Sequence, residues 1–227
     1  GTSRIMSRMG ELIMTVAEKE MPVTAVFFDP ICSHTYTQRI GARHGAPPFA
    51  LEMNLMPRSL YDGKGAEGRV SALLQFRIYR HHPQHLYLPS VYAPALKTLY
   101  WDLIEKREIV ISDKSLPAGK KTALKIKKFD FAKVARITVE TAGTDFPSTI
   151  RKKESSLVSG GTQVIQIWLP LSWPYVGEAV DHLRAMGYFL GGPLPHWLGC
   201  DALFMQKLQA PPSWEDMVFY QEEAHQV

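Results

Sequence analysis

Ile5, Met6, Met9, Ile13, Met14, Val16 and Ala17 fall on one side of a 3.6-residue wheel, with Arg4, Arg8 and Glu11 elsewhere, and predict an amphipathic helix. After Met21-Pro22, VTAVFFDP (23–30) is a nearly continuous apolar run ended by Pro30, the pattern of a strand buried on both faces. A second helix starts near Ser33 and stops at Gly45, a C-terminal glycine signal, and PPFALEMNLMP follows as a strand. YDGKGAEG (61–68), with its three glycines and mixed charges, reads as a linker between units. RVSALLQFRIYR then alternates Val70, Ala72, Leu74, Phe76 and Ile78 against Ser71, Gln75 and Arg77, the period-2 signature of a half-buried strand.

The next helix is expected to be capped by Ser90, with Pro94 in its first turn and Ala95, Leu96, Leu99, Leu103 and Ile104 on one face. EIVI (108–111), TALKIKKF (122–129) and ARITVETAG (135–143) read as strands. A polar helix from about Asp145 to Val158 ends at Gly160-Gly161, and the apolar strand VIQIWLPL follows. A helix opening at Pro174 aligns Val176, Ala179, Val180, Leu183 and Met186 and closes at Gly187. YFLGG and CDALFMQKL are two last strands joined by PLPHWLG, and residues 209–227 read as a tail with one short helical stretch. The pattern implies an α/β (α+β) fold, a mixed sheet flanked by helices.

Composition narrows the class. Of 227 residues, 45% are hydrophobic and 21% charged, which excludes a disordered or fibrous chain. Lys and Arg outnumber Asp and Glu by 26 to 22, too small an excess to make a nucleic-acid binder. Cys32 and Cys200 cannot form a disulfide framework, so a reducing, cytoplasmic home is the simplest reading. No apolar run reaches the roughly 18 to 20 residues that span a bilayer, and no charged leader precedes an apolar block, so no membrane partner is expected. The chain opens at Gly1 in what already reads as helix, which suggests a piece of a longer protein with a further N-terminal domain.

The two apolar strands share a context. VTAVFFDP, helix, ARHGAPPFALEMNL and VIQIWLPL, helix, RAMGYFLGGPL are each strand, Pro-ended turn, helix, Gly, strand, a repeated supersecondary unit. From Arg69 to Leu208 the element order resembles the GCN5-related N-acetyltransferase (GNAT) fold, minus one early helix. AVDHLRAMGYF (179–189) is similar to that family's late helix and following strand, and residues 1–57 resemble the second half of another such domain. HTYTQ, with His34, Tyr36 and Gln38, and PHWLGCDALFMQKL also resemble segments of GNAT-like modules in bacterial multidomain proteins. The resemblance implies a tandem arrangement: residues 1–60 as the C-terminal half of one unit, 68–208 as a complete, degenerate unit, and 209–227 as a tail.

The activity so implied is N-acyl transfer from acetyl-CoA or another acyl-CoA to a small-molecule amine or a protein acceptor. A parallel strand pair should split into a V-shaped notch for the thioester arm, with the pyrophosphate held by backbone N–H groups at a helix N-terminus. The family's Gln/Arg-x-x-Gly-x-Gly/Ala turn corresponds in the second unit to TAGTDFPST, where a single Gly143 remains and Pro147 removes a donor. In the first unit, Gly1, Thr2, Ser3 and Arg4 opening a helix resemble the end of such a turn and are the cofactor-binding candidates. The Tyr that family members often place four residues before the late-helix Gly is Gly41 and Leu183 here.

His34, Tyr36 and Gln38 are therefore the catalytic candidates, as general acid or base. His34 and Tyr36, two positions apart, point about 200° apart on a regular helix and face one substrate only if the first turn is irregular; otherwise they are a capping His and a packing Tyr.

Three other clusters stand out. His81-His82-Pro83-Gln84-His85 has imidazoles but no Cys or adjacent carboxylate to complete a metal shell, and Pro83 excludes helical spacing; a solvated strand end is expected. Cys200, Asp201 and His196 loosely resemble a nucleophilic set, against a buried thiol in a strand. Lys114, Lys120, Lys121, Lys125, Lys127 and Lys128 would steer an anion or form the wet face of an edge strand, and the alternation with Leu124 and Ile126 favours the edge. Trp168, Trp173, Trp197 and Tyr188-Phe189 suit either a pocket or the core. Two functions from different classes follow: a GNAT-like acyltransferase region of a parent enzyme, or a noncatalytic ligand-sensing or interaction module of a larger bacterial regulator. An open sheet edge on the truncated first unit would favour a homodimer.

Overall fold

The computed structural model of the chain describes residues 2–61, 66–100, 103 and 107–226. Along it run α1 (Thr2–Lys19), β1 (Ala25–Phe28), α2 (Tyr36–Arg43), β2 (Pro48–Pro57), β3 (Arg69–Ile78), β4 (Gln84–Leu88) and α3 (Ala93–Leu99). Then come β5 (Arg107–Ile111), β6 (Ala123–Phe129), β7 (Val134–Thr141), α4 (Phe146–Ser159), β8 (Val164–Pro170), α5 (Val176–Ala185), β9 (Phe189–Leu194) and β10 (Ala202–Leu208). The fold is mixed α/β. Among the described residues, no helix is long and apolar enough to cross a membrane.

Three sheets carry the strands. The first has the order β1-β3-β2, with both pairs antiparallel. The second has the order β6-β7-β8-β10-β9, antiparallel throughout except for the parallel pair β7–β8. The third is the two-stranded parallel ribbon β4–β5, whose Tyr87 N–H donates to Leu171 O just beyond β8.

Strand β3 lies between β1 and β2, so the glycine-rich stretch 61–68 joins two neighbours of one sheet. It is also buried on both faces, not one, because its polar positions are consumed internally. Ser71 Oγ accepts from Asn54 N–H at 3.1 Å, and Gln75 Nε2 donates to Gln38 O and to Gln221 Oε1. Helix α3 is entered at Tyr92, and Ser90 supplies its backbone carbonyl to Ala93 N–H instead of a side-chain cap. Strand β6 is the edge of the second sheet, where Lys125, Lys127 and Lys128 stand on a strand that alternates exposed and half-buried positions.

One apolar core takes residues from both larger sheets: Phe49, Leu74 and Phe76 from the first, Ile137, Ile165, Ile167 and Leu169 from the second. Helices α4 and α5 cover it with Ile150, Leu157, Val176, Val180 and Leu183. Each such side chain, fully buried, contributes about 1.5–3 kcal/mol. Trp168 and Trp197 stand at the junction of the sheets as partly buried core aromatics, Trp197 meeting Phe27, Phe76 and Trp168 edge-on.

The seam between the larger sheets runs along β2, β9 and β10. Gln206 of β10 accepts from Met53 N–H at 2.9 Å and donates to Leu51 O at 2.7 Å, so one side-chain amide stands in for a sheet neighbour. Gly192 of β9 comes so near β2 that a Cβ there would lie 2.2 Å from Phe49 O.

Candidate functional site

Ligands of open α/β sheets collect outside the carboxyl ends of parallel strands. In the second sheet that place is the end of β7–β8. The two strands pair from Val134↔Val164 to Thr138↔Trp168, after which β7 continues against β6 alone and β8 against β10. Beyond the parting, β7 feeds α4 and β8 feeds α5, so two helix N-termini face the same mouth.

Residues 112–122 run across this mouth. At the α5 side, Ser112 Oγ accepts from Gly177 N–H at 2.8 Å and donates to Pro174 O, and Lys114 N–H donates to the same carbonyl. Leu116 N–H donates to Glu178 Oε2 at 2.6 Å while its side chain is buried in the main core. At the α4 side, the Asp145 carboxylate accepts from Thr122 N–H and Oγ, and Gly143 N–H donates to Thr122 Oγ1. Gly143 is needed for this closeness, since a Cβ there would lie 1.9 Å from Lys120 O.

The α5 N-terminus is thus served from within the chain by the Ser112 hydroxyl, while the Asp145 carboxylate stands at the start of α4 and binds Thr122 without capping the helix. The hydrogen bonds from Thr122 hold the Asp145 carboxyl below the usual range, so this end of α4 carries a negative charge, which disfavours an anion there.

A second cluster gathers residues scattered in sequence. Arg107 Nε donates to Asp201 Oδ2 at 2.8 Å and Nη2 to Oδ1 at 3.2 Å, with both side chains fully buried. Gln84 closes a ring with the same residue, Nε2 donating to Asp201 Oδ1 and Oε1 accepting from Asp201 N–H. His196 N–H donates to Asp201 Oδ1, holding a residue with φ +57° in the left-handed region. Arg107 Nη2 lies 3.3 Å from His196 Nε2, and a guanidinium only donates, so this contact needs an unprotonated Nε2. Burial and the Arg107 charge both hold the imidazole below its ordinary pKa. Burial and the neighbouring Asp201 likewise push the Tyr100 hydroxyl well up.

The cluster brings together Gln84, His196 and Asp201 from the sequence candidates, with His82 edge-on to His196. Its geometry is that of a lock: Asp201 faces Arg107, and Cys200 Sγ meets Ser172 Oγ at 3.5 Å. His85 pairs with Glu108 on the surface. Among the described residues, no group of three or more His, Cys, Asp or Glu is placed to hold a metal ion. Arg107, whose partner lies 94 positions away, carried no signal in the sequence.

His34, Tyr36 and Gln38 do not converge on a shared cleft. His34 precedes α2 and is exposed, and Tyr36 opens the helix, also exposed. Gln38 is buried and its amide serves the backbone: Nε2 donates to His34 O and to Val218 O, and Oε1 accepts from Tyr220 N–H. Thr2, Ser3 and Arg4 lie in α1, and their side chains, like Gly1, lie outside the described residues.

A third polar knot crosses the seam. Glu52 Oε1 accepts from Arg136 Nη2 and Gln166 Nε2, each at 2.8 Å, and Arg136 Nε donates to Gln166 Oε1. The guanidinium lies over the rings of Phe129 and Trp168. Neither the protein-family models nor the curated proteins match the chain.

Proposed function

We propose that residues 84–208, built around the five-stranded sheet, are a GNAT-like module that has given up acyl transfer and serves as a noncatalytic ligand-sensing or interaction domain of a larger regulatory protein. Kinship with the acyltransferases is supported by the parallel pair β7–β8, which parts after Thr138 and sends a helix back from each strand. Loss of transfer rests on one observation: residues 112–122 bridge the parted strands and anchor Leu116 in the core. A thioester arm laid there would have to displace that segment, forgo the backbone donors it uses, and meet the Asp145 carboxylate.

Titration calorimetry with acetyl-CoA and a thiol-release assay with a panel of amines test this reading. No heat of binding and no thiol release are expected. Stoichiometric binding, or turnover with any amine, would restore the acyltransferase reading.

A further inference from the structure

Residues 210–226 form a strap over the seam. Asn54 Nδ2 donates to Ala210 O and Pro211 O, Arg58 pairs with Asp216, and Val218 N–H donates to Cys32 O at 2.7 Å. Gln38 binds the strap backbone on both sides of Phe219, Gln75 reaches Gln221, and Arg39 lies over the Tyr220 ring. Apolar contact adds to these polar ties, since Met217, Phe219 and the buried Ala224 pack with Cys32, Leu51, Met53 and Leu73.

Between the strap and the sheets lies a cavity of about 480 Å³, within the range of small-molecule sites. The sheets give it Leu51, Met53, Phe189 and Leu190, and the strap gives Trp214, Met217 and Phe219. Among the described residues of its wall, two side chains are polar. Gln206 has both ends of its amide bound to β2, and the His225 ring stands exposed, edge-on to Phe219 at 5.1 Å. A charged ligand would lose hydration here with no Asp, Glu, Lys or Arg among the described lining residues, at a cost of several kcal/mol. Three aromatic rings and two thioethers instead favour a flat aromatic body, since sulfur–ring and ring–ring contacts each contribute about 0.5–1.5 kcal/mol beyond area.

We infer that this strapped cavity binds a neutral aromatic small molecule, with its single hydrogen-bonding group toward His225, and that the strap lifts to admit it. The inference names the ligand class for the sensing role proposed above and rests on that reading.

Fluorescence titration of the whole chain with N-phenyl-1-naphthylamine tests it. Saturable one-to-one binding is expected, at least tenfold weaker in Leu190→Trp, which fills the cavity from its half-buried wall. Trp214→Ala, at an exposed position, is expected to weaken binding several-fold without loss of the fold. Gln38→Ala, which loosens the strap away from the cavity wall, is expected to raise the association rate several-fold.

No saturable binding, equal affinity in folded Leu190→Trp and Trp214→Ala, or tighter binding of dodecanoate than of the aromatic probe would each overturn the inference. The response of probe binding to Leu190→Trp and Trp214→Ala assigns it to this cavity, while thiol release reports on acyl transfer, so a failure of the inference is told apart from a failure of the reading it rests on.

Discussion

Strands β1, β2 and β3 with helix α2, and strands β8, β9 and β10 with helix α5, repeat one arrangement: the third strand inserts between the first two, giving the orders β1-β3-β2 and β8-β10-β9. In both, the first strand runs into a proline, Pro30 or Pro170, and the helix ends before a glycine with positive φ, Gly45 or Gly187. What surrounds each copy differs. The β8 copy has a parallel partner in β7 and a final turn locked by Asp201, whereas the β1 copy is finished by the strap. A shared strand order therefore fixes where a site could form, and the segments added around it decide whether the site is open, plugged or covered.

The largest test of that difference is Asp201→Asn. Asparagine keeps the shape and the amide contact to Gln84 but takes from Arg107 the carboxylate it meets in a fully buried setting. Breaking a buried pair from one side costs about 3–5 kcal/mol, and pairing the change with Arg107→Met should return more than half of it. Urea unfolding reads both values. Hydrogen exchange should show the loss spreading through β4, β5 and the 195–201 turn before it reaches β1–β3. A cost under about 1 kcal/mol, or equal loosening of both copies, would mean the lock does not distinguish them.

The join between the copies comes next. Gly192, at φ +130°, lets β9 press on β2, and Gly192→Ala places a methyl against the Phe49 carbonyl and the Ala50 Cα. Backbone on one side and an unfavourable φ on the other leave little room to relax, so about 2–3 kcal/mol is expected. The near-UV circular dichroism of the Trp168–Trp197 pair should change with it. A variant within about 0.5 kcal/mol of the parent would show that the seam is loose.

Much of this was legible in the amino-acid order. The apolar runs VTAVFFDP and VIQIWLPL, their prolines and the glycine stops mark the repeated unit, and Lys125 and Lys127 alternating with Leu124 and Ile126 mark the edge strand. Partner choice was not legible. Period-2 alternation says which face a residue takes and not which strand lies beside it, so β3 read as the start of the later unit. Its Ser71 and Gln75 looked solvent-facing because their partners, Asn54 and Gln221, are fixed only by the fold. Gln38 read as a catalytic candidate, and in the fold its amide binds a strap 180 positions away. Gly143 and Pro147 read as a departure from a phosphate-binding turn; that residues 112–122 cross the end of β7–β8 had no counterpart in local pattern.

The smallest expected effect concerns the polar knot on the seam. Burial raises the Glu52 pKa above its ordinary value near 4.5, opposed by the Arg136 charge and the Gln166 hydrogen bond and reinforced by Asp29. With the folded value above the unfolded one, the native state holds a proton that the unfolded chain has already shed. This contribution is therefore full below about pH 4.5 and is lost as pH rises through the folded value. Glu52→Gln cannot titrate, and whatever it loses through Arg136 is the same at every pH in this window, because the guanidinium stays charged. The variant should therefore gain on the parent as pH rises from about 4.5, by at most ~1.4 kcal/mol for each unit by which folding raises the pKa. Urea midpoints measured at half-unit steps to pH 7.5 would show the two profiles converging or crossing. Parallel profiles would mean that the Arg136 and Gln166 contacts cancel the effect of burial on Glu52.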